Sequence, residues 1–197
     1  MRARPGRALR LLGLIAVLTL GGGVGCASSD PVLQVDDPTA FEPGVAFSIR
    51  PFTAEAAKQK ILAGEARYDS SLIALGLQVS QRIRRELEAS LQQAEVVPAD
   101  AKVDSGLVIE GEVLEVDEGN RVLRQFLGFG AGETILHVTG RVTRATDGKV
   151  VASFDIRRVG QFGLFGGRAR ELIQADIRGH GRDIAYWLAR LSSESSP

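Results

Sequence analysis

Two runs of alternating residues joined by Asp147-Gly148 constrain the fold of this chain more than anything else in it. Residues 133–145 place Leu136, Val138, Gly140 and Val142 on one face and His137, Thr139, Arg141 and Thr143 on the other. Residues 149–159 group Val150, Ala152, Phe154 and Ile156 in the same way. Period-two alternation with β-branched residues is the pattern of a strand with one buried face. An Asp-Gly pair supplies the positive φ of a tight two-residue turn, so the two runs predict an antiparallel hairpin. Such a hairpin is marginal alone and needs further strands and a helical cover.

The cover is readable on both sides of it. Over residues 69–94, Leu72, Leu75, Gly76, Val79, Ile83, Leu87, Ser90, Leu91 and Ala94 recur at three- and four-residue spacing, an amphipathic helix with Asp69 or Ser70 as candidate cap. A second helix is expected over 169–191, with Leu172, Ile173, Ile177, His180, Ile184, Trp187, Leu188 and Leu191 on its apolar stripe. Gly179 and Gly181 weaken its middle by about 1 kcal/mol each relative to Ala, which predicts a kink. Further strands are expected at 45–52 and 106–117, the latter bulged near Gly111, with a short one at 95–98; residues 53–68 read as a loop or short helix. The sum is one α+β domain over 45–191, a small antiparallel or mixed sheet with two main helices on one face, followed by a disordered tail at 192–197.

The N-terminus has a different grammar. Arg2, Arg4, Arg7 and Arg10 precede the apolar run LLGLIAVLTL at 11–20, and small residues lead to Cys26. A charged region, a short apolar region and small residues in that order form a secretory signal. The apolar run is shorter than the ~20 residues that span a bilayer. Val24-Gly25-Cys26-Ala27 resembles the lipobox of bacterial lipoproteins, with Gly23 where Leu is usual. That resemblance implies cleavage after residue 25, a lipid on Cys26 and, through Ala27, sorting to the outer membrane facing the periplasm. Acyl chains buried at about 0.8 kcal/mol per CH₂ would hold the protein there. Residues 26–44, with Pro31, Pro38 and Pro43, read as a flexible tether, or else as a strap packed on the domain through Val32, Leu33 and Phe41.

Loss of residues 1–25 removes four arginines and no acid. The 24 basic residues less these four face 24 acidic ones, a formal charge of −4. Nucleic-acid binding needs a basic surface and is disfavoured.

The hairpin also brings two unusual segments together. Phe126, Gly128, Phe129, Gly130 and Gly132 precede its first strand; Phe162 and Phe165 follow its second within a glycine-rich stretch. The start of one strand and the end of its antiparallel partner are neighbours, so both segments belong at one end of the sheet. Four of the eight phenylalanines gather there. Exposed, they would form an interaction surface; buried, they would cap the core.

No catalytic set emerges. The two histidines have no cysteine partner in a zinc pattern. There is no G-x-S-x-G elbow. The GFGAG run at 128–132 is followed by a strand, whereas a dinucleotide fingerprint opens a helix. Asp176 and His180, four apart, read as a structural hydrogen-bonded pair. The acids Glu110, Glu112, Glu115, Asp117 and Glu118 read as a solvated face. No metal or other cofactor is expected, and no enzyme activity.

Gly111-Glu112-Val113, Asp117-Glu118-Gly119-Asn120-Arg121, Arg124, Gly128-Phe129-Gly130-Ala131-Gly132 and Thr146-Asp147-Gly148-Lys149-Val150 together resemble the bacterial lipoproteins grouped as domain of unknown function 4410. The resemblance implies an envelope location and an α+β domain, and no reaction. The expectation is thus an envelope lipoprotein, held to the membrane through its N-terminal lipid. Its domain is an interaction or assembly module with an envelope protein or with itself. The alternative is a periplasm-facing binder of a lipid or other apolar small molecule.

Overall fold

The computed structural model describes residues 31–194 except 69, 91, 120–132 and 161–168. In chain order these form β1 (Val32–Val35), a 3-10 turn (Pro38–Ala40), β2 (Phe47–Ile49), α1 (Glu55–Leu62), α2 (Leu72–Ala89), β3 (Ala94–Val96), β4 (Leu107–Asp117), β5 (Thr134–Arg144), β6 (Val150–Gly160) and α3 (Ala169–Glu194). The six strands make one mixed sheet in the order β1-β6-β5-β4-β2-β3. Pairing is antiparallel from β1 to β4 and parallel from β4 through β2 to β3.

The hairpin is β5–β6, in register from Thr134–Gly160 to Val142–Ala152; a shift there pairs Thr143 with Val150, so Val151 is buried and Val150, expected on the apolar face, is exposed. Its turn is longer than two residues. Arg144 N–H donates to Lys149 O at 2.9 Å and Gly148 N–H to Arg144 O at 2.8 Å, with Gly148 at φ +69°. Ala145 N–H is drawn instead to Gly106 O on the neighbouring connection, which pulls that residue out of the two-residue geometry.

Leu75, Val79, Ile83 and Leu87 of α2 and Ile173, Ile177, Ile184 and Leu188 of α3 are buried in one core with Ile109, Val113, Leu136, Val138, Val142 and Phe154. Ser71 caps α2 by accepting from Ala74 N–H, displacing the expected cap by one or two residues. A third helix, α1, lies beside β4, where the sequence predicts a loop or short helix and counts two main helices. Its anchors are polar: Ala56 N–H donates to Glu112, and Lys60 pairs with Glu115 at 2.8 Å. That amphipathic signal is weak because a single residue of α1, Ala57, is buried.

Glycines set the close approaches. Gly111 and Gly140 face each other across β4 and β5. A Cβ on Gly111 would lie 2.4 Å from the Phe52 ring, and one on Gly140 2.3 Å from the Phe154 ring. The glycine pair therefore makes room for two rings stacked at 6.3 Å. The bulge expected at Gly111 sits instead between Val113 and Glu115. Helix α3 runs unbroken through Gly179 and Gly181, where the guanidinium of Arg158 and the stem of Arg82 occupy the space a side chain would need.

Both ends of the domain extend further than the sequence predicts. Residues 32–35 of the expected flexible tether pair with β6, and Phe41 is fully buried, so this stretch is a strap on the domain. Four residues bounded by prolines carry too little period for a strand to be read; the open edge of β6 supplies the order. Residues 192–194 of the expected disordered tail continue α3, with Ser192 buried and its hydroxyl donating to Leu188 O.

Candidate functional site

One end of the sheet carries the residues that flank the two segments the sequence singles out. There Thr134 opens β5 opposite Gly160, which closes β6, and Asp117 closes β4 opposite Ile135. The segment 120–132 leaves from β4 and enters β5; the segment 161–168 leaves β6 and enters α3. Their flanking residues thus meet at one end, as the hairpin requires. The expected interaction residues Phe126, Gly128, Phe129, Gly130, Gly132, Phe162 and Phe165, and the expected lipidation site Cys26, lie outside the described residues.

Beneath this end lies a buried polar cluster. Gly160 must be small, because a Cβ would come within 2.4 Å of Thr134 Oγ1. The fully buried Thr134 hydroxyl lies 3.4 Å from Gly160 O and hydrogen-bonds the Asp176 carboxylate. Asp176 is 5 % exposed, and its Oδ2 has no hydrogen-bond partner among the described residues. Burial pushes its carboxyl up to about 6, against the opposing pull of Arg158 and of Thr134.

His180, one turn on, is fully buried, with Nδ1 2.8 Å from Asp176 O and Nε2 3.0 Å from Ile156 O. The expected Asp176–His180 pair is therefore real in place but made through the Asp176 carbonyl. Burial drives the imidazole down to about 4, so at neutral pH it carries one N–H for two carbonyls. Arg158 closes the cluster with an ion pair to Asp183. The cluster is a buried set of polar groups held by α3 against β5 and β6. A nucleophile within reach of His180 is absent among the described residues, since both its ring nitrogens face carbonyls.

Beside the cluster, between the starts of α2 and α3, lies a cleft of about 230 Å³. Tyr68, Ala74 and Ile173 line it together with Ser70, Ser71, Gln78, Glu118, Arg170 and Gln174. Arg170 donates to Ser70 Oγ at 3.3 Å and Gln174 to Gln78 at 2.8 Å, so its polar groups are already engaged with each other. Burial and the nearby Glu118 raise the Tyr68 hydroxyl. The lining is mixed and offers an apolar ligand little.

On the other side of the sheet the polar face is laced with ion pairs. Glu110 takes Arg50 at 2.9 Å and Arg141 at 2.6 Å, and a hydrogen bond of 2.7 Å joins His137 Nε2 and Asp155 Oδ1 beside them. No group of three or more His, Cys, Asp or Glu side chains converges as a metal site among the described residues. No helix among them is long and apolar enough to cross a membrane.

Several solved structures align with this chain. PelC from Paraburkholderia phytofirmans, crystallised as a dodecamer, aligns over 78 % of this chain and 94 % of its own, at 15 % identity and TM-score 0.50. A Xanthomonas campestris protein of the family DUF330 aligns over 79 % of this chain and 91 % of its own, at 15 % identity and TM-score 0.49. No curated protein matches. The model of the family "Domain of unknown function (DUF4410)" matches residues 47–163, more than half of the chain, and the chain belongs to that family.

Proposed function

We propose that this protein is a lipid-anchored envelope lipoprotein whose domain is a non-catalytic module that assembles with copies of itself. The observation that carries the reading is the pair of edge strands. β1 and β3 lie at opposite edges of one sheet, each with a single partner strand among the described residues. β1, Val32-Leu33-Gln34-Val35, carries no charge, and Val32 is 64 % exposed. An uncharged edge strand is a template for pairing with another chain. Two different edges on one subunit permit head-to-tail contacts, which close into rings when the rotation allows. The fold shared with PelC, which forms a dodecamer, supports the same reading. The N-terminal order of arginines, apolar run, small residues and Cys26 supports the anchor. An orientation with the anchor in the outer membrane and the domain facing the periplasm follows from Ala27.

The test is the mass of the purified mature protein in solution. Native mass spectrometry should give a multiple of the subunit mass. Val32→Lys puts a charge on the β1 edge outside the core and should release folded monomers with the wild-type far-UV circular dichroism spectrum and a lower urea midpoint, since assembly stabilises the folded state. A wild-type protein that stays monomeric at micromolar concentration overturns the assembly reading.

A further inference from the structure

The main-chain hydrogen bonds of the two edge strands fix which of their groups face outward. Asp36 N–H donates to Val151 O, so the even-numbered residues of β1 bond β6, and the N–H and C=O of Leu33 and Val35 turn to the open side. Phe47 N–H donates to Gln93 O and Val97 N–H to Ile49 O. The odd-numbered residues of β3 therefore bond β2, and Ala94 and Val96 turn outward. Each edge thus presents the main-chain donor and acceptor of two residues spaced two apart.

Direction and face agree as well. Followed from strand to strand, the pairings make β1 and β3 antiparallel. When a second copy continues the sheet with its helices on the same side, its β1 therefore runs antiparallel to β3. Leu33 and Val35 lie on the helix-covered side, paired with Phe154 and Ala152. Ala94 and Val96 lie on that side too, paired with Phe47 and Ile49. Gln34, Asp36, Gln93 and Glu95 are exposed on the other side. Pairing outward residue with outward residue also matches apolar face to apolar face.

One register keeps all the bonds. With Leu33 opposite Val96, Val35 falls opposite Ala94, Gln34 opposite Glu95 and Asp36 opposite Gln93. A slip that puts Leu33 opposite Pro98 loses a donor, because proline has no N–H. The reverse slip puts Val35 opposite Gln92, whose N–H already donates to Leu87 O. The favoured register also sets the Gln34 amide beside the Glu95 carboxylate and Val32 beside Val97, a donor–acceptor pair and an apolar pair.

We propose that β1 of one copy adds antiparallel to β3 of the next, Leu33 on Val96 and Val35 on Ala94, so that successive sheets run on as one. The proposal rests on the self-assembly reading and names its contact. Cysteines on the exposed side read the register without entering the core. Residues opposite each other there, between the hydrogen-bonded pairs, stand about 4.5 Å apart at Cα, within disulfide reach. Within one copy β1 and β3 are five strand spacings of about 4.8 Å apart, so a disulfide between them joins two copies. The full chain carrying Gln34→Cys/Glu95→Cys, or Asp36→Cys/Gln93→Cys, is oxidised, run on a non-reducing gel and mapped by peptide. Asp36→Cys/Glu95→Cys is the pair out of register, and the single variants show any crosslink made through Cys26. The expected result is dimers and longer ladders in both in-register variants, and loss of most of them in the third. Far-UV circular dichroism checks that each variant is folded, and the two in-register pairs test the contact independently. Native mass spectrometry of the unoxidised samples separates the proposal from the reading beneath it. Oligomers in which the folded in-register variants form no disulfide, or in which the out-of-register variant links best, overturn the edge pairing and leave assembly. A wild-type protein and variants that are all monomeric overturn both.

Discussion

The two ends of the β5–β6 hairpin are closed by opposite means. At the turn end the closure is made by charged side chains near the surface. Arg144 pairs with Asp147 and Asp37, Lys149 N–H donates to the Asp147 carboxylate, and Gly148 takes a positive φ with open space around it. The contacts with Thr39 and Arg144 hold the Asp37 carboxyl down to about 2. At the Thr134–Gly160 end the closure is tertiary and dry. A glycine there is fixed by a neighbour, and Asp176 and His180 are both held in the fold toward their neutral forms. One end is specified by turn residues a few positions apart, joined by Asp37 from the N-terminal strap. The other depends on α3 lying across the sheet, and costs free energy in buried polar groups.

The sharpest contrast comes from the two glycines. Gly160→Val should destabilise by about 3 kcal/mol in urea unfolding, because the new side chain meets Thr134 in a packed site. Gly148→Ala should cost about 1 kcal/mol, the backbone penalty alone, since nothing lies within 4 Å. If Gly148→Ala proves the more costly, the turn end is the more constrained and the comparison fails.

Next in size is a hidden pH dependence. Asp176 ionises near 3.8 in the unfolded chain but near 6 in the fold. The stability from its neutral form is complete below 3.8 and is lost as pH rises through 6. His180 runs the other way: unfolded it protonates near 6.5, folded only near 4. Its contribution is complete above 6.5 and is lost as pH falls through 4. Between about 4 and 6 the two slopes oppose each other. Asp176→Asn should therefore expose stability that rises with pH, and His180→Leu stability that falls with pH. Each change is about 2 kcal/mol across the window, allowing for screening. Urea midpoints measured from pH 4 to 7 read both, and parallel profiles for the two variants would break the pairing.

The smallest effect belongs to the turn end. Asp37→Asn removes an ion pair whose contribution is present above the ordinary carboxylate range and lost as pH falls through about 2. The variant should differ from wild type slightly at low salt and not at all at high salt. A difference that survives high salt would mean that this end is not held by screened charge.

What the sequence reveals follows from where the period is long. Helices α2 and α3 and strands β4, β5 and β6 each repeat their apolar spacing several times and stand where expected, except that α2 stops at Ala89, five residues early, and Ala94, expected on its stripe, opens β3. β1 is four residues long, and β2 and β3 are three each. Their order comes from the strand beside them: β1 takes its hydrogen bonds from β6, and β2 lies parallel to β4. Gly111 reads as the site of a bulge and Gly140 as one more position on an apolar face, yet they are the floor under Phe52 and Phe154, a contact between residues some 60 positions apart for Gly111. Of the candidate site, the meeting of Thr134 and Gly160, which flank the two connections, was legible because hairpin register alone dictates it. The dry polar cluster was half legible. Asp176 and His180 stand one turn apart in the sequence, but only the position of Ile156 O shows that His180 faces carbonyls on both sides.

The whole account of location rests on Cys26, and metabolic labelling with palmitate tests it most directly. The account predicts a labelled wild-type protein that partitions with membranes, and no label in Cys26→Ser. Label that persists in Cys26→Ser, or a wild-type protein that takes up none, would contradict it.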